Sequence, residues 1–317
     1  MKKIFFGIIA ISALFFQSCD KVSNPYPKQF IDIDTTLLYG MDLVEYKNTK
    51  WPTFSENTNT LVNVLIEDFT GHRCIYCPAA TTLAEDFEAL HPGRVFIAGI
   101  HASPSGGTSG TQQDFDFAPY TQNFTNPTGL QIAVDLAAID ANFSSNPAGT
   151  TNRKTIAGHM FNPSTDWATN SNNILNANVL KVNLQSKTNY FPETRGMILH
   201  TEVDLTSTPS ADLFQVVYLM EDSLISPQKF PLGAEDLNYV HRDIMRGCID
   251  DLPMGRKLTE LMKVDKNGAV IAGDKYYLNY SYKLPAQFNA EIMHLLIYVY
   301  DSSTMEILQV IRQKVKE

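Results

Sequence analysis

Hydrophobic positions are distributed differently in the two halves of the chain. In the first half they form unbroken blocks and helical stripes. Leu61 to Phe69 reads Leu-Val-Asn-Val-Leu-Ile-Glu-Asp-Phe, a nearly continuous apolar run rich in β-branched residues, as expected of a strand buried on both faces of an α/β sheet. Thr81 to Leu90 places Leu83, Ala84, Phe87 and Leu90 at helical spacing, with Glu85, Asp86 and Glu88 on other faces. Arg94 to His101 reads as a second buried strand, so the three segments predict a parallel strand–helix–strand unit. Gln131 to Phe143 and Asp166 to Ala177 predict two more helices, and Phe30-Ile31-Asp32-Ile33 an edge strand. Between them, Ser103 to about Gly129 is irregular. A connection that long is either a substrate-facing flap or a plain surface insertion.

From Asn178 onward the pattern alternates. Leu180, Val182 and Leu184 start it; Met197 to Leu205, Phe214 to Met220, Tyr276 to Leu284, Glu291 to Tyr300 and Met305 to Lys314 continue it. Turn signals such as Ser226-Pro227 and Asp265-Lys266-Asn267-Gly268 separate the runs. Strands without a helix among them predict an antiparallel β-sandwich of immunoglobulin-like kind. The tyrosines of Tyr276 to Tyr282 read as a ladder that packs a sheet, with a binding face as the alternative.

The N-terminus is built differently again. Lys2 and Lys3, an apolar stretch from Ile4 to Phe16, and Gln17-Ser18-Cys19 form a short secretory signal, too short to span a bilayer. Its end resembles a bacterial lipobox, which implies acylation of Cys19 and a membrane anchor with no transmembrane helix. The predicted organisation is then residues 1–18 as signal, 19–29 as tether, 30–177 as an α/β domain and 178–317 as the sandwich. A chain of 317 residues that is 44% hydrophobic has material for two cores. Removing Lys2 and Lys3 takes the formal net charge from −9 to −11, which argues against nucleic acid and against an electrostatic membrane patch.

Candidate chemistry gathers in Asp68-Phe69-Thr70-Gly71-His72-Arg73-Cys74-Ile75-Tyr76-Cys77-Pro78, where the first buried strand ends and the helix begins. A helix N-terminus favours a thiolate, and His72 and Arg73 add positive character. Pro78 suits a first helical turn. Three readings of Cys74 and Cys77 remain open: a redox-active pair, an inert structural disulfide, or half of a metal site that lacks a second cysteine pair. Cys248 is left over and reads as a small buried hydrophobe. Tyr239-Val240-His241-Arg242-Asp243-Ile244 spells a kinase catalytic loop without a phosphate loop or Asp-Phe-Gly elsewhere, so chance explains it. Asp265 to Gly268 lacks the carboxylates of a calcium loop and reads as a hairpin turn.

The cysteine segment resembles the active-site turn of the thioredoxin superfamily. That resemblance makes Asp68 the buried acid six residues before the first cysteine, and Pro147 of Asn146-Pro147-Ala148-Gly149-Thr150-Thr151-Asn152-Arg153 the cis-proline facing the pair. Arg73 stands where thioredoxins carry Trp, and Ile75-Tyr76 is closer to bacterial disulfide isomerases. Over nearly the whole mature length the chain is similar to the outer membrane protein twenty-eight-related lipoproteins of Gram-negative bacteria. Glu67 to Gly71 running into the cysteine pair, Pro147 to Arg153, Tyr239 to Gly247, Ile297 to Asp301 and Glu306 to Gln309 carry the likeness. It implies a thioredoxin-like domain followed by a sandwich, in an outer-membrane lipoprotein. Two functions follow: thiol–disulfide exchange on exported proteins by Cys74, Cys77, Asp68 and Pro147 with no cofactor, or a surface adhesion or assembly protein with a structural disulfide. The expected partners are the membrane through Cys19 and exported thiols or a surface protein.

Overall fold

The computed structural model describes residues 33–106, 113–258 and 273–316. The signal, Cys19 and the tether lie outside these residues, as do Phe30 to Asp32 and the turn from Asp265 to Gly268. Ile33, the described end of the expected edge strand, is not in a strand; it is buried with Leu38, Tyr46 and Ile198. A short helix, α1 (Leu43–Thr49), follows, capped by the Asp42 carboxylate on the Glu45 N–H.

The strand–helix–strand unit forms as predicted. β1 (Val64–Thr70) and β2 (Val95–His101) run parallel from Val64↔Val95 to Thr70↔His101, joined through α2 (Cys77–Leu90). All seven residues of β1 are buried, which is why the segment is apolar without alternation. Val64 and Ile66 face α2 and α4 (Ser164–Ala177), whose Ala80, Ala84, Phe87, Trp167 and Ile174 cover that side. Leu65 and Phe69 face the other side, where α3 (Pro127–Ile139) contributes Ile132, Ala133 and Leu136. β3 (Ala148–Thr151) pairs antiparallel with β1, and β4 (Phe161–Asn162) with β3. Gly149 is required here, because a Cβ would lie 2.3 Å from the Trp167 ring and 2.6 Å from the Glu67 carbonyl. Two helices start earlier than their apolar stripes. α2 begins at Cys77 rather than Thr81, and α3 at Pro127, inside the stretch expected to be irregular, because the Asn126 side chain caps the Gly129 N–H.

The second half supplies β5 (Val182–Phe191), β6 (Gly196–Leu205) and β7 (Leu213–Glu221). Four two-residue strands follow in part: β8 (Leu224–Ile225), β9 (Gln228–Lys229), β10 (Glu235–Asp236) and β11 (Val240–His241). Then come β12 (Ile244–Cys248), β13 (Arg256–Lys257), β14 (Lys275–Lys283), β15 (Met293–Asp301) and β16 (Ile307–Lys314). β5, β6 and β14 make a three-stranded antiparallel sheet whose apolar face packs on β7, β15 and β16. The tyrosine run serves this packing: Tyr280 is buried, and Tyr276 and Tyr282 lie against the same core.

The opposing sheet does not stop at the second half. Its order is β16-β15-β7-β12-β2-β1-β3-β4, with β13 also on β7, so strands from both sides of residue 178 share one hydrogen-bonded surface. The join is β12 on β2, where the Gly99 N–H donates to the Asp243 carbonyl at 2.8 Å. The fold is therefore mixed α/β, with a β-rich second half fused edge to edge to the first.

A buried ion pair lies across this sheet. Glu67 on β1 accepts from Arg153 Nε at 2.8 Å and Nη2 at 2.7 Å, and both side chains are fully buried. Thr150, Tyr218 and Tyr298 complete the shell: Thr150 Oγ1 and the Tyr218 hydroxyl donate to the carboxylate, and Arg153 Nη2 reaches both tyrosine oxygens at 3.0 Å. Burial alone would raise the Glu67 carboxyl, but the guanidinium and these donors hold it below its ordinary value. Arg153→Met, which strands a buried carboxylate, is expected to cost about 3–5 kcal/mol in urea unfolding at pH 7. The double variant Glu67→Leu/Arg153→Met should lose less than the two single losses added, because neither charge is left alone.

Candidate functional site

Cys74 and Cys77 are bonded to each other in a disulfide. The turn that presents them leaves β1 through Gly71, with the Cys74 N–H on the Gly71 carbonyl and the Cys77 N–H on the Cys74 carbonyl. Cys77 and Pro78 open α2, so the pair stands at the helix N-terminus, where the sequence put it. Both cysteines are buried, Cys74 with 2% and Cys77 with 1% of its surface exposed, while Ile75 and Tyr76 between them point outward.

The positive character expected from His72 and Arg73 is not delivered to the sulfur. Arg73 is spent on Asp114, 2.6 Å away, and lies over the Phe117 ring at 5.0 Å. His72 is packed among Tyr120, Phe124 and His101, with Nε2 on the Asp114 carbonyl at 2.6 Å. Burial keeps its imidazole below the ordinary histidine value. Local charge beside the pair thus comes from the helix terminus rather than from these two side chains.

Asp68 sits on the α2 side of β1. Its Oδ2 accepts from Thr81 Oγ1 at 2.7 Å, and Oδ1 is buried without a partner. Burial, with Glu85 as a minor like charge, pushes the carboxyl up to about 7 against the lowering effect of the Thr81 bond. Asp68, Thr81, Glu85, His101 and Tyr239 line a small cavity of about 20 Å³, enough for one water. The Asn146–Pro147 peptide is cis, and the Asn146 side chain donates to the Thr70 and Ala102 carbonyls, both at 2.9 Å. Asp68, the cysteine turn and Pro147 therefore gather at one end of β1. Cys248 is buried and unbridged, its thiol pushed up by burial.

The residues that sequence reasoning missed are His101, Gln228 and two from the segment dismissed as a chance kinase match, Tyr239 and His241. The His241 and His101 ring centroids are 5.9 Å apart, Tyr239 stacks edge-on against His241, and the Gln228 side chain donates to the Cys74 carbonyl at 3.1 Å. Burial holds His241 down at about 4 and His101 well below its ordinary value. The one signal available was that Tyr239 to Gly247 belongs to the stretches carrying the family likeness. Among the described residues, no three His, Cys, Asp or Glu side chains are grouped to hold a metal.

A carboxyl raised from 3.8 to about 7 contributes stability below pH 4 that is lost as pH rises through 7. Asp68→Asn should remove that loss. Relative to the parent, the variant is expected to gain about 1–4 kcal/mol between pH 4 and pH 8 in urea titrations. Parallel curves for the two proteins across that range would place the Asp68 carboxyl at an ordinary value.

The architecture is similar to that of HBP35 of Porphyromonas gingivalis, with a TM-score of 0.62 at 14% identity over 82% of this chain and 77% of the other. An Agrobacterium tumefaciens protein aligns with a TM-score of 0.49 at 10% identity, covering 83% of this chain and 97% of its own. A domain of the outer membrane lipoprotein Omp28 from Porphyromonas gingivalis gives 0.28 at 17% identity, over 43% and 89%. No curated protein matches the chain in sequence. Residues 137–317 match the family model described as outer membrane protein Omp28, which takes in Pro147 to Arg153, the strands on β7 and the whole second half. The match spans more than half of the chain, and the protein belongs to the Omp28 family of outer membrane proteins.

Proposed function

We propose that this outer-membrane protein is a lipid-anchored thiol–disulfide exchange protein with a thioredoxin-like first half, residues 30–177, and a sandwich-like second half, residues 178–317. The order β2-β1-β3-β4, with α2 and α4 on one face and α3 on the other, supports the thioredoxin-like reading. The observation that carries the chemistry is Asp68. A buried carboxyl with an unpartnered oxygen, bonded to Thr81 one helical turn beyond Cys77, costs stability, the pattern of a group retained for proton transfer.

In the reduced protein, the Cys74 thiolate attacks one sulfur of a client disulfide and expels the other as a thiolate. Cys77, deprotonated by Asp68, then attacks Cys74 Sγ and releases the second client sulfur. The client gains two electrons and two protons and becomes a dithiol, while the pair becomes the disulfide present here. Pro147, beside the turn, bounds the cleft for the client backbone. Recycling takes two electrons from an exported dithiol reductant.

The burial of Cys74 favours a second reading, a structural disulfide in a surface binding or assembly protein. The reduction potential of the pair in the mature chain, by glutathione titration with thiol trapping, separates them. A value of roughly −120 to −270 mV is expected for exchange; one below about −300 mV would make the bridge structural. Cys19 is the proposed acylation site. Cys19→Ser should abolish incorporation of labelled palmitate and move the protein from the membrane to the soluble fraction; retention in the membrane would remove Cys19 from that role.

A further inference from the structure

Between β7 and β12 the chain leaves the sheet and crosses the cysteine turn before returning. Ser223 at φ 60° and Asp243 at φ 45° bound this excursion, both in the left-handed region that non-glycine residues seldom adopt. Its own ladders are short: β8 on β11 and β9 on β10, two residues each. Its outward side is apolar and wet, with Ile225 63%, Leu237 55% and Leu232 wholly exposed.

Its inward hold is one packed ring, His241 against His101 and Phe124, and a small set of hydrogen bonds, among them the Tyr120 hydroxyl to Glu235 at 2.9 Å. The Lys229 N–H donates to the His72 carbonyl at 2.9 Å, and Gln228 Nε2 reaches the Cys74 carbonyl at 3.1 Å and the Gly71 carbonyl at 3.4 Å. Gln228 is itself 97% buried. The contact between the segment and what it covers is poorly satisfied: Ser226 Oγ and His241 Nε2 on the segment, and His101 Nδ1 and Asp68 Oδ1 under it, are all buried without partners. Each such group gains hydration when the cover lifts, which offsets much of what the few inward hydrogen bonds contribute. A cover held by one packed ring and a few hydrogen bonds, bounded by two left-handed residues and meeting its base through unsatisfied groups, has the makings of a separately opening unit.

We propose that residues 224–242 are a strap that closes over the Cys74–Cys77 disulfide, latched by Gln228, and that must lift before a thiol can reach either sulfur. The inference rests on the exchange reading for its purpose, but the strap is testable without it. A thiolate must approach a sulfur to attack it, and with the cysteines 2% and 1% exposed that approach is closed. The second half of the chain thereby controls a site that the first half builds.

The test is the rate at which dithiothreitol reduces the disulfide in the mature full-length chain, read by thiol trapping, beside the global unfolding rate of the same protein. Gln228→Ala removes the latch and is expected to speed reduction about five- to tenfold with global unfolding unchanged. An unchanged rate, or one that rises only in step with global unfolding, would overturn the strap. Should that variant fold poorly, amide exchange in the unaltered protein decides. The Lys229 N–H is expected to exchange at least about tenfold faster than the β1 amides. Equal protection would mean that the segment opens only with the whole fold, and the proposal fails. A reduction potential below about −300 mV with a faster Gln228→Ala would sink exchange and leave the strap; a potential in the exchange range with an unmoved rate would do the reverse.

Discussion

The structure depends on the Glu67–Arg153 pair. Arg153 stands just beyond β3, in a left-handed turn that it shares with Asn152, and its guanidinium reaches under the sheet to a carboxylate on β1. The tyrosines that complete the shell come from β7 and β15, so four strands of the large sheet meet at one buried charge pair. Two ions with no exposed surface need close hydrogen-bond partners; the Glu67 carboxylate and Arg153 Nε and Nη2 have them, Arg153 Nη1 alone is left without one, and the placement demands that both halves of the chain be docked. Asn152 extends the constraint: its side chain caps the Leu65 N–H and holds the Asn63 carbonyl, while its own carbonyl receives the Ile307 N–H. Gln309 on β16 closes the circuit through the Asn63 N–H and the Leu61 carbonyl.

This docking explains why the cysteine turn is not the open corner that its local sequence suggests. The sheet continues from β2 into β12, and the residues leading into β12 lie across the turn. The same connection delivers Gln228 to the Cys74 carbonyl, and His241 and Tyr239 to the cavity beside Asp68. What the helix terminus and Asp68 offer for sulfur chemistry is thus placed under a cover supplied from more than 150 residues later in the chain. Stability and access pull in opposite directions there: the buried polar groups around Asp68 and His101 cost energy in the closed form and are relieved only by water.

Much of this was legible along the chain. The apolar run from Leu61 to Phe69 holds β1, which is covered on both faces but starts only at Val64; the helical stripe after the cysteines is α2; the alternation after Asn178 is a layered β half. Asp68, the cysteine turn and Pro147 lie toward the same end of β1. The failures have local causes. Helix starts at Cys77 and Pro127 lie outside the apolar stripe: α3 is started by the Asn126 cap, and α2, which has no side-chain cap, by Pro78 in its first turn and the burial of Cys77. The charge expected from Arg73 was cancelled by Asp114, forty-one residues away in the irregular stretch, which no local pattern reveals.

The sequence by itself determined the periodicities, the position of the cysteine pair at a strand–helix junction and the family likeness, because these depend on neighbours a few residues apart. Tertiary structure alone decided that one sheet runs through both halves, that Glu67 meets Arg153, and that residues 224–242 lie over the disulfide. Edge-to-edge pairing uses backbone groups that every residue carries, so composition is silent about which strands will join. A buried charge or an uncovered sulfur likewise depends on what packs against it, and here that partner lies in the other half of the chain.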